Sequence, residues 1–130
     1  MGEMQKKSIL IVDDSASIRK EVKMILEKEG YSVREAGSEF GMFNSIAQYG
    51  ELVDVILMDL TLNAECGLDL IAKIKGASRY KDIPVVMLTQ HSNKESVEMA
   101  MLVGVQGYIV KPIEPRILIE KIKRVLDARG

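Results

Sequence analysis

The sequence has 130 residues, 47% hydrophobic and 28% charged, which is the size and balance of one ordinary globular domain. Eighteen Lys and Arg against 19 Asp and Glu leave a net charge of -1, so charge gives no reason to expect nucleic acid or an anionic membrane as a partner. One cysteine, Cys66, can form neither an internal disulfide nor a metal site alone, and nothing approaches the roughly 20 apolar residues of a membrane span. The opening MGEMQKKSILIVDD also lacks the apolar core and cleavage site of a secretory signal. The expectation is a cytoplasmic protein with one domain over residues 1–130, its first seven residues a short extension.

Five short apolar runs alternate with amphipathic stretches. The first run, Ser8–Val12, reads as a strand, and Asp14 or Ser15 can cap the helix that follows. Ile18, Val22, Ile25 and Leu26 give that helix its apolar stripe, and Gly30 can end it. The second run, Ser32–Ala36, is more polar and suits a sheet edge. Its helix carries Phe43, Ile46 and Ala47. The third run, Val53–Met58, is nearly continuous apolar residue, as expected of a strand buried on both faces. Leu68, Ile71 and Ile74 form the next stripe. Ile83–Leu88 is the fourth run, followed by a weaker stripe of Val97, Ala100 and Met101. Gly107–Val110 is the fifth, and Leu118, Ile122, Val125 and Leu126 mark the last helix. Gly50, Gly76, the Ile83–Pro84 pair and Gly104 punctuate the pattern.

Strand–helix alternation of this kind predicts an α/β fold: a doubly wound, flavodoxin-like, five-stranded parallel sheet of order 2-1-3-4-5 with helices on both faces. In such sheets ligands bind beyond the carboxyl ends of the strands. The residues there are Asp13 and Asp14 after the first run, Asp59 after the third, Thr89 after the fourth and Lys111 after the fifth. Three carboxylates together resist joint ionisation unless cations offset them. A magnesium ion and Lys111 would supply the offset, since magnesium favours oxygen ligands and shares phosphate oxygens. The set then suits phosphoryl transfer: an Asp carboxylate attacks in line, Lys111 and magnesium hold the charge, and the Thr89 hydroxyl donates to a phosphoryl oxygen. Singly, each residue has a plainer reading, as helix cap, turn residue or solvated charge. Their conjunction at four separate strand ends does not.

On the stretches ILIVDDSASIR, VDVILMDLTLNAECGLDLIAKIK, IPVVMLTQHS and GYIVKPI, the sequence resembles the receiver domain of response regulators, and in particular the single-domain kind found in chemotaxis. The resemblance implies Asp59 as phosphoacceptor, Asp14 as a direct magnesium ligand, Asp13 as a ligand mainly through water, and the Thr61 backbone carbonyl as a further ligand. It implies that Thr89 and Lys111 contact the phosphoryl group, that the Lys111–Pro112 bond is cis, and that Tyr108 is a switch aromatic that turns inward as Thr89 moves. It further implies a sensor histidine kinase or phosphotransfer protein as donor, and an effector protein docking on the fourth helix, fifth strand and last helix, where Val103, Gln106, Tyr108 and Arg116 are expected. The chain is expected to be a monomer or weak dimer and not a turnover enzyme. The loop after Asp59 departs from the usual pattern, with Asn63 where Pro is common and Cys66 where Asp is common. His91, two residues beyond Thr89, is read as a solvated loop residue flanking the phosphoryl position.

Three rivals use similar parts. A phosphatase of the haloacid-dehalogenase kind needs a second acid two residues past its nucleophile to protonate the leaving group, and Thr61 stands there. A flavin-binding flavodoxin would have to seat a phosphate against Asp13 and Asp14, with only four Tyr and two Phe to sandwich the ring. A receiver-like adapter working without phosphorylation keeps the fold and drops the chemistry.

Overall fold

The computed structural model describes residues 6–49, 52–59, 61–62, 65–77, 80–90 and 94–129, with the backbone alone described at 61–62, 65–68, 94–96 and 129. In chain order the elements are β1 (Ser8–Val12), α1 (Ala16–Lys28), β2 (Ser32–Ala36), α2 (Glu39–Tyr49), β3 (Val55–Asp59), β4 (Thr61–Leu62), β5 (Glu65–Cys66), α3 (Gly67–Gly76), β6 (Val85–Thr89), α4 (Lys94–Val103), β7 (Gly107–Val110) and α5 (Pro115–Arg129). The five main strands form one sheet in the order β2-β1-β3-β6-β7, every pair parallel. This is the expected 2-1-3-4-5 arrangement. Strand order reverses between β1 and β3, so a crevice opens at their carboxyl ends.

Successive side chains along a strand point to opposite faces, and the core divides accordingly. Leu10, Val12, Ile56, Met58, Val85 and Met87 face α2, α3 and α4, packing on Met42, Ile46, Leu70, Ile71, Ile74 and Ala100. Ile9, Ile11, Val55, Leu57, Val86, Leu88 and Ile109 face α1 and α5, packing on Val22, Leu26, Leu118, Ile122 and Val125. Both faces being covered is why β1, β3 and β6 are buried throughout and apolar except at Ser8, Asp59 and Thr89, and each fully buried aliphatic side chain contributes about 1.5–3 kcal/mol. The more polar β2 lies at an edge, as its sequence suggests.

Local chemistry sets several boundaries. Ser15 is the N-cap of α1, its hydroxyl accepting from Ile18 N–H, and Gly30, at φ 96°, takes the left-handed turn after the helix. The apolar runs beginning at Val53 and Ile83 overshoot their strands by two residues, because Val53 and Ile83 are buried before parallel pairing begins. Both strands also run one residue further than their runs, so Asp59 and Thr89 are the last residues of β3 and β6. Two helical stripes need correction. Ala47 is exposed while Met42 is buried, and Met101 is exposed while Leu70, on the preceding helix, joins the core. The antiparallel pair β4–β5, Thr61 opposite Cys66, lies within a segment expected to be loop. Gly50, Asn63 and His91 lie outside the described residues.

Candidate functional site at the carboxyl edge of the sheet

Because β1 and β3 are neighbours, the acids that follow them meet. Asp13, Asp14 and Asp59 each present a carboxylate oxygen within 4.8 Å of the other two. Asp13 is fully buried and Asp59 is 7% exposed, whereas Asp14 is exposed. Burying carboxylates at this spacing is costly without compensation. Part of the compensation is Lys111, whose Nζ donates to Asp13 Oδ2 at 2.8 Å and stands 3.6 Å from Asp59 Oδ1. Further help comes from the backbone, as Ser15 N–H donates to Asp13 Oδ1 at 2.9 Å.

Each side chain is carried by its strand. Asp13 extends β1, and its N–H donates to Ala36 O at the end of β2 (3.1 Å). Asp59 closes β3 opposite Leu88, and Thr89 closes β6 opposite Val110, 1% exposed. Lys111 N–H donates to Thr89 O at 2.7 Å, which continues the β6–β7 pairing and delivers the lysine to the crevice. The Lys111–Pro112 bond that follows is cis, as expected. Thr61 begins β4 two residues after Asp59, so its backbone lies close in sequence to the acids.

These residues line an open cavity of about 700 Å³ with Ser15, Ser17, Ile18, Gln90 and Pro112. Asp13, Asp14, Asp59, Thr89 and Lys111, predicted from sequence, are all brought together here. Ser17 and Gln90 were not singled out in the sequence. Ser17 is the second residue of α1, its hydroxyl 3.0 Å from that of Ser15, and nothing in a solvated Ser or Gln marks it in advance. The donor set of three carboxylates with an open aqueous side fits a hard divalent cation with oxygen ligands and retained waters.

Tyr108 does not line this cavity. Its ring is 36% exposed on the outer face of β7, with Lys121 Nζ 5.9 Å from the ring centroid. Two residues expected beside it lie elsewhere. Val103 packs toward the α2–α4 side of the core, and the Gln106 side chain accepts Val85 N–H at 2.8 Å, at the amino end of the strands. Arg116, in the first turn of α5, is exposed. The elements α4, β7 and α5 also expose Met99, Met101, Leu102, Val110 and Ile117, of which Val110 and Ile117 line one cavity with Tyr108. Among the described residues, no helix is long and apolar enough to cross a membrane.

Comparison with known proteins agrees with this geometry. The sequence profile of the response regulator receiver domain matches residues 9–123. The chain is 36% identical over 119 residues to chemotaxis protein CheY1 of Helicobacter pylori, covering 91% of this chain and 95% of that one. It is 35% identical over 131 residues to the phosphate regulon transcriptional regulatory protein PhoB of Pseudomonas aeruginosa, covering 98% of this chain and 55% of that one. Among solved structures, the chemotaxis response regulator CheY4 of Vibrio cholerae superposes with a TM-score of 0.85 at 33% identity, over 94% of this chain and all of the other. With a profile spanning most of the chain, a shared fold and a gathered cluster of acids and lysine, this chain belongs to the response regulator receiver domain family.

Proposed function

We propose that the chain is a phosphoryl-accepting receiver of a two-component system, taking a phosphoryl group from a histidine kinase or phosphotransfer protein onto Asp59 and signalling through phosphorylation-dependent protein binding. The observation that carries this reading is the Lys111 ammonium held between two buried acids, 2.8 Å from Asp13 and 3.6 Å from Asp59, at the mouth of an open cavity. A structural ion pair needs one acid. One lysine against a cluster of three acids, in reach of two of them, leaves negative charge for another cation and an acid for chemistry.

In this mechanism an Asp59 oxygen attacks phosphorus in line, while the bond from phosphorus to the donor's imidazole nitrogen breaks and its electron pair stays with the imidazole. Asp13, Asp14, Asp59 and the Thr61 carbonyl would hold magnesium, which supplies positive charge opposite the phosphoryl oxygens. Lys111 offsets charge from the other side, and the Thr89 hydroxyl donates to a phosphoryl oxygen. The reaction is a single transfer and not turnover of a substrate, and the chain acts as one cytoplasmic domain over residues 1–130.

Output follows from the added charge. A phosphoryl group brings roughly one further negative charge beside Lys111 and Thr89. Thr89 moves toward it, and the Tyr108 ring, outside in this structure, turns into the space vacated. The effector then binds the α4–β7–α5 face, where Val110 and Ile117 beside Tyr108 offer apolar contact, and prefers the ring-in state. The deciding experiment is labelling by acetyl phosphate with magnesium, read on a phosphate-affinity gel. Wild type should shift and Asp59→Asn should not, because an amide is no nucleophile. Undiminished labelling of Asp59→Asn would place the acceptor elsewhere and end this reading.

A further inference from the structure

Arg19 lies on the first turn of α1 and meets the backbone of Asp13, whereas Lys111 meets its carboxylate, and the phosphoryl chemistry above does not use it. Its NH1 donates to the backbone carbonyl of Asp13 at 2.7 Å, and its Nε donates to Glu35 Oε1 in β2 at 3.2 Å. Lys23 holds the other oxygen of Glu35 at 3.7 Å. The guanidinium is thus fixed by a fork, one prong on the edge strand and one on the peptide that joins Asp13 to Asp14.

Gly37 makes room for it. A Cβ at Gly37 would stand 2.9 Å from Arg19 NH1, so the end of the Arg19 side chain would have to shift to admit it, while Gly37's φ lies outside the left-handed region. Space, not backbone conformation, is therefore what a side chain at 37 would violate. With Asp13 N–H on Ala36 O and Asp13 C=O on Arg19, both peptide groups of the first acid are tied to α1 and β2. The Asp13–Asp14 peptide plane sets the direction from which both carboxylates enter the cavity.

From this geometry, and resting on the reading of the acids as a metal site, we infer that Arg19 is a positioning residue. Seated by Glu35 and Gly37, it locks the Asp13–Asp14 peptide and so sets the cation affinity of the acid cluster.

Charge and position predict opposite results. If Arg19 acted only as a nearby positive charge, Arg19→Gln would tighten cation binding, since less repulsion would remain. If it positions the acids, binding should weaken, about tenfold if the loss resembles that of an outer-shell partner. Gly37→Ala alters no charge and should weaken binding in the same direction. The probe is Mn2+, titrated into each full-length variant with the free ion read by electron paramagnetic resonance, and far-UV circular dichroism reports the fold. Weaker binding in both variants with an unchanged spectrum supports the inference, and if Arg19→Gln fails to fold, Gly37→Ala alone decides. Wild-type affinity in Gly37→Ala, or equal or tighter binding in a folded Arg19→Gln, overturns it. Asp13→Asn separates this from the underlying reading: undiminished Mn2+ binding there would remove the acid cluster as the metal site, and the inference with it.

Discussion

The two ends of one sheet use their polar groups differently. At the amino end the strands are tied by paired hydrogen bonds between neighbours, although the buried Ser8 hydroxyl has no partner among the described residues. Ser8 N–H donates to Asp54 Oδ2 at 2.7 Å, Asp54 N–H to Ser8 O at 2.8 Å, and Gln106 exchanges hydrogen bonds with Val85, each at 2.8 Å. Asp54 there serves the backbone of the neighbouring strand, and the result is a hydrogen-bonded seam. At the carboxyl end three acids gather around an open cavity, two of them, Asp13 and Asp59, sharing Lys111. Charge is concentrated there beyond what the fold requires, and that surplus marks the functional end.

If the carboxyl end is built for chemistry, the largest effect should come from Lys111→Met. Removing the one cation that reaches both Asp13 and Asp59 should slow acetyl phosphate labelling by about a hundredfold or more, the loss typical of a missing charge-stabilising donor. A rate within threefold of wild type would undo the comparison. The amino end should show the reverse profile. Asp54→Ala leaves the Ser8 N–H without its charged acceptor and should lower stability by about 2 kcal/mol in urea titration, with labelling unchanged.

A finer contrast lies in the sign of stability changes. Asp59→Asn removes one of three crowded acids, so in EDTA it should raise stability by about 1 kcal/mol, opposite to the loss at Asp54. Equal losses at both ends would mean that the carboxyl-end acids are structural after all.

The smallest effect concerns Tyr31, just before β2 at the amino end. Burial first, then Glu29 and Asp127, raises its pKa above the ordinary value near 10. A raised folded value means that its contribution is complete below pH 10 and is lost as pH climbs through the folded pKa. Tyr31→Phe should therefore flatten the alkaline fall in stability above about pH 10 and leave the neutral range unaltered. An identical alkaline slope in the variant would show that another group controls it.

Some features were legible because they are local. The limits of β1, β2 and β7 match their apolar runs residue for residue, since pairing and burial start together there. At β3 and β6 they do not. Hydropathy reports burial, and Val53 and Ile83 are buried before the ladder begins. The stripe of α2 was misread by one position because Phe43, Ile46 and Ala47 share a helical spacing with the true inward pair Met42 and Ile46, and only the neighbouring elements choose between them. The same holds for Val103 and Gln106, whose exposure depends on where α4 and β6 lie.

By itself, the sequence determined the alternation of five strands with helices and which acids, threonine and lysine stand at strand ends. These follow from hydrophobic period and chain direction, which are properties of neighbouring residues. Tertiary structure alone decided the distances. That Lys111 reaches Asp13 and Asp59 across 98 and 52 positions of sequence, that Arg19 grips the Asp13 carbonyl through the space left by Gly37, and that the Tyr108 ring faces outward all depend on side-chain packing between elements far apart in the chain. No local pattern encodes a contact whose two partners are brought together only by the assembled sheet.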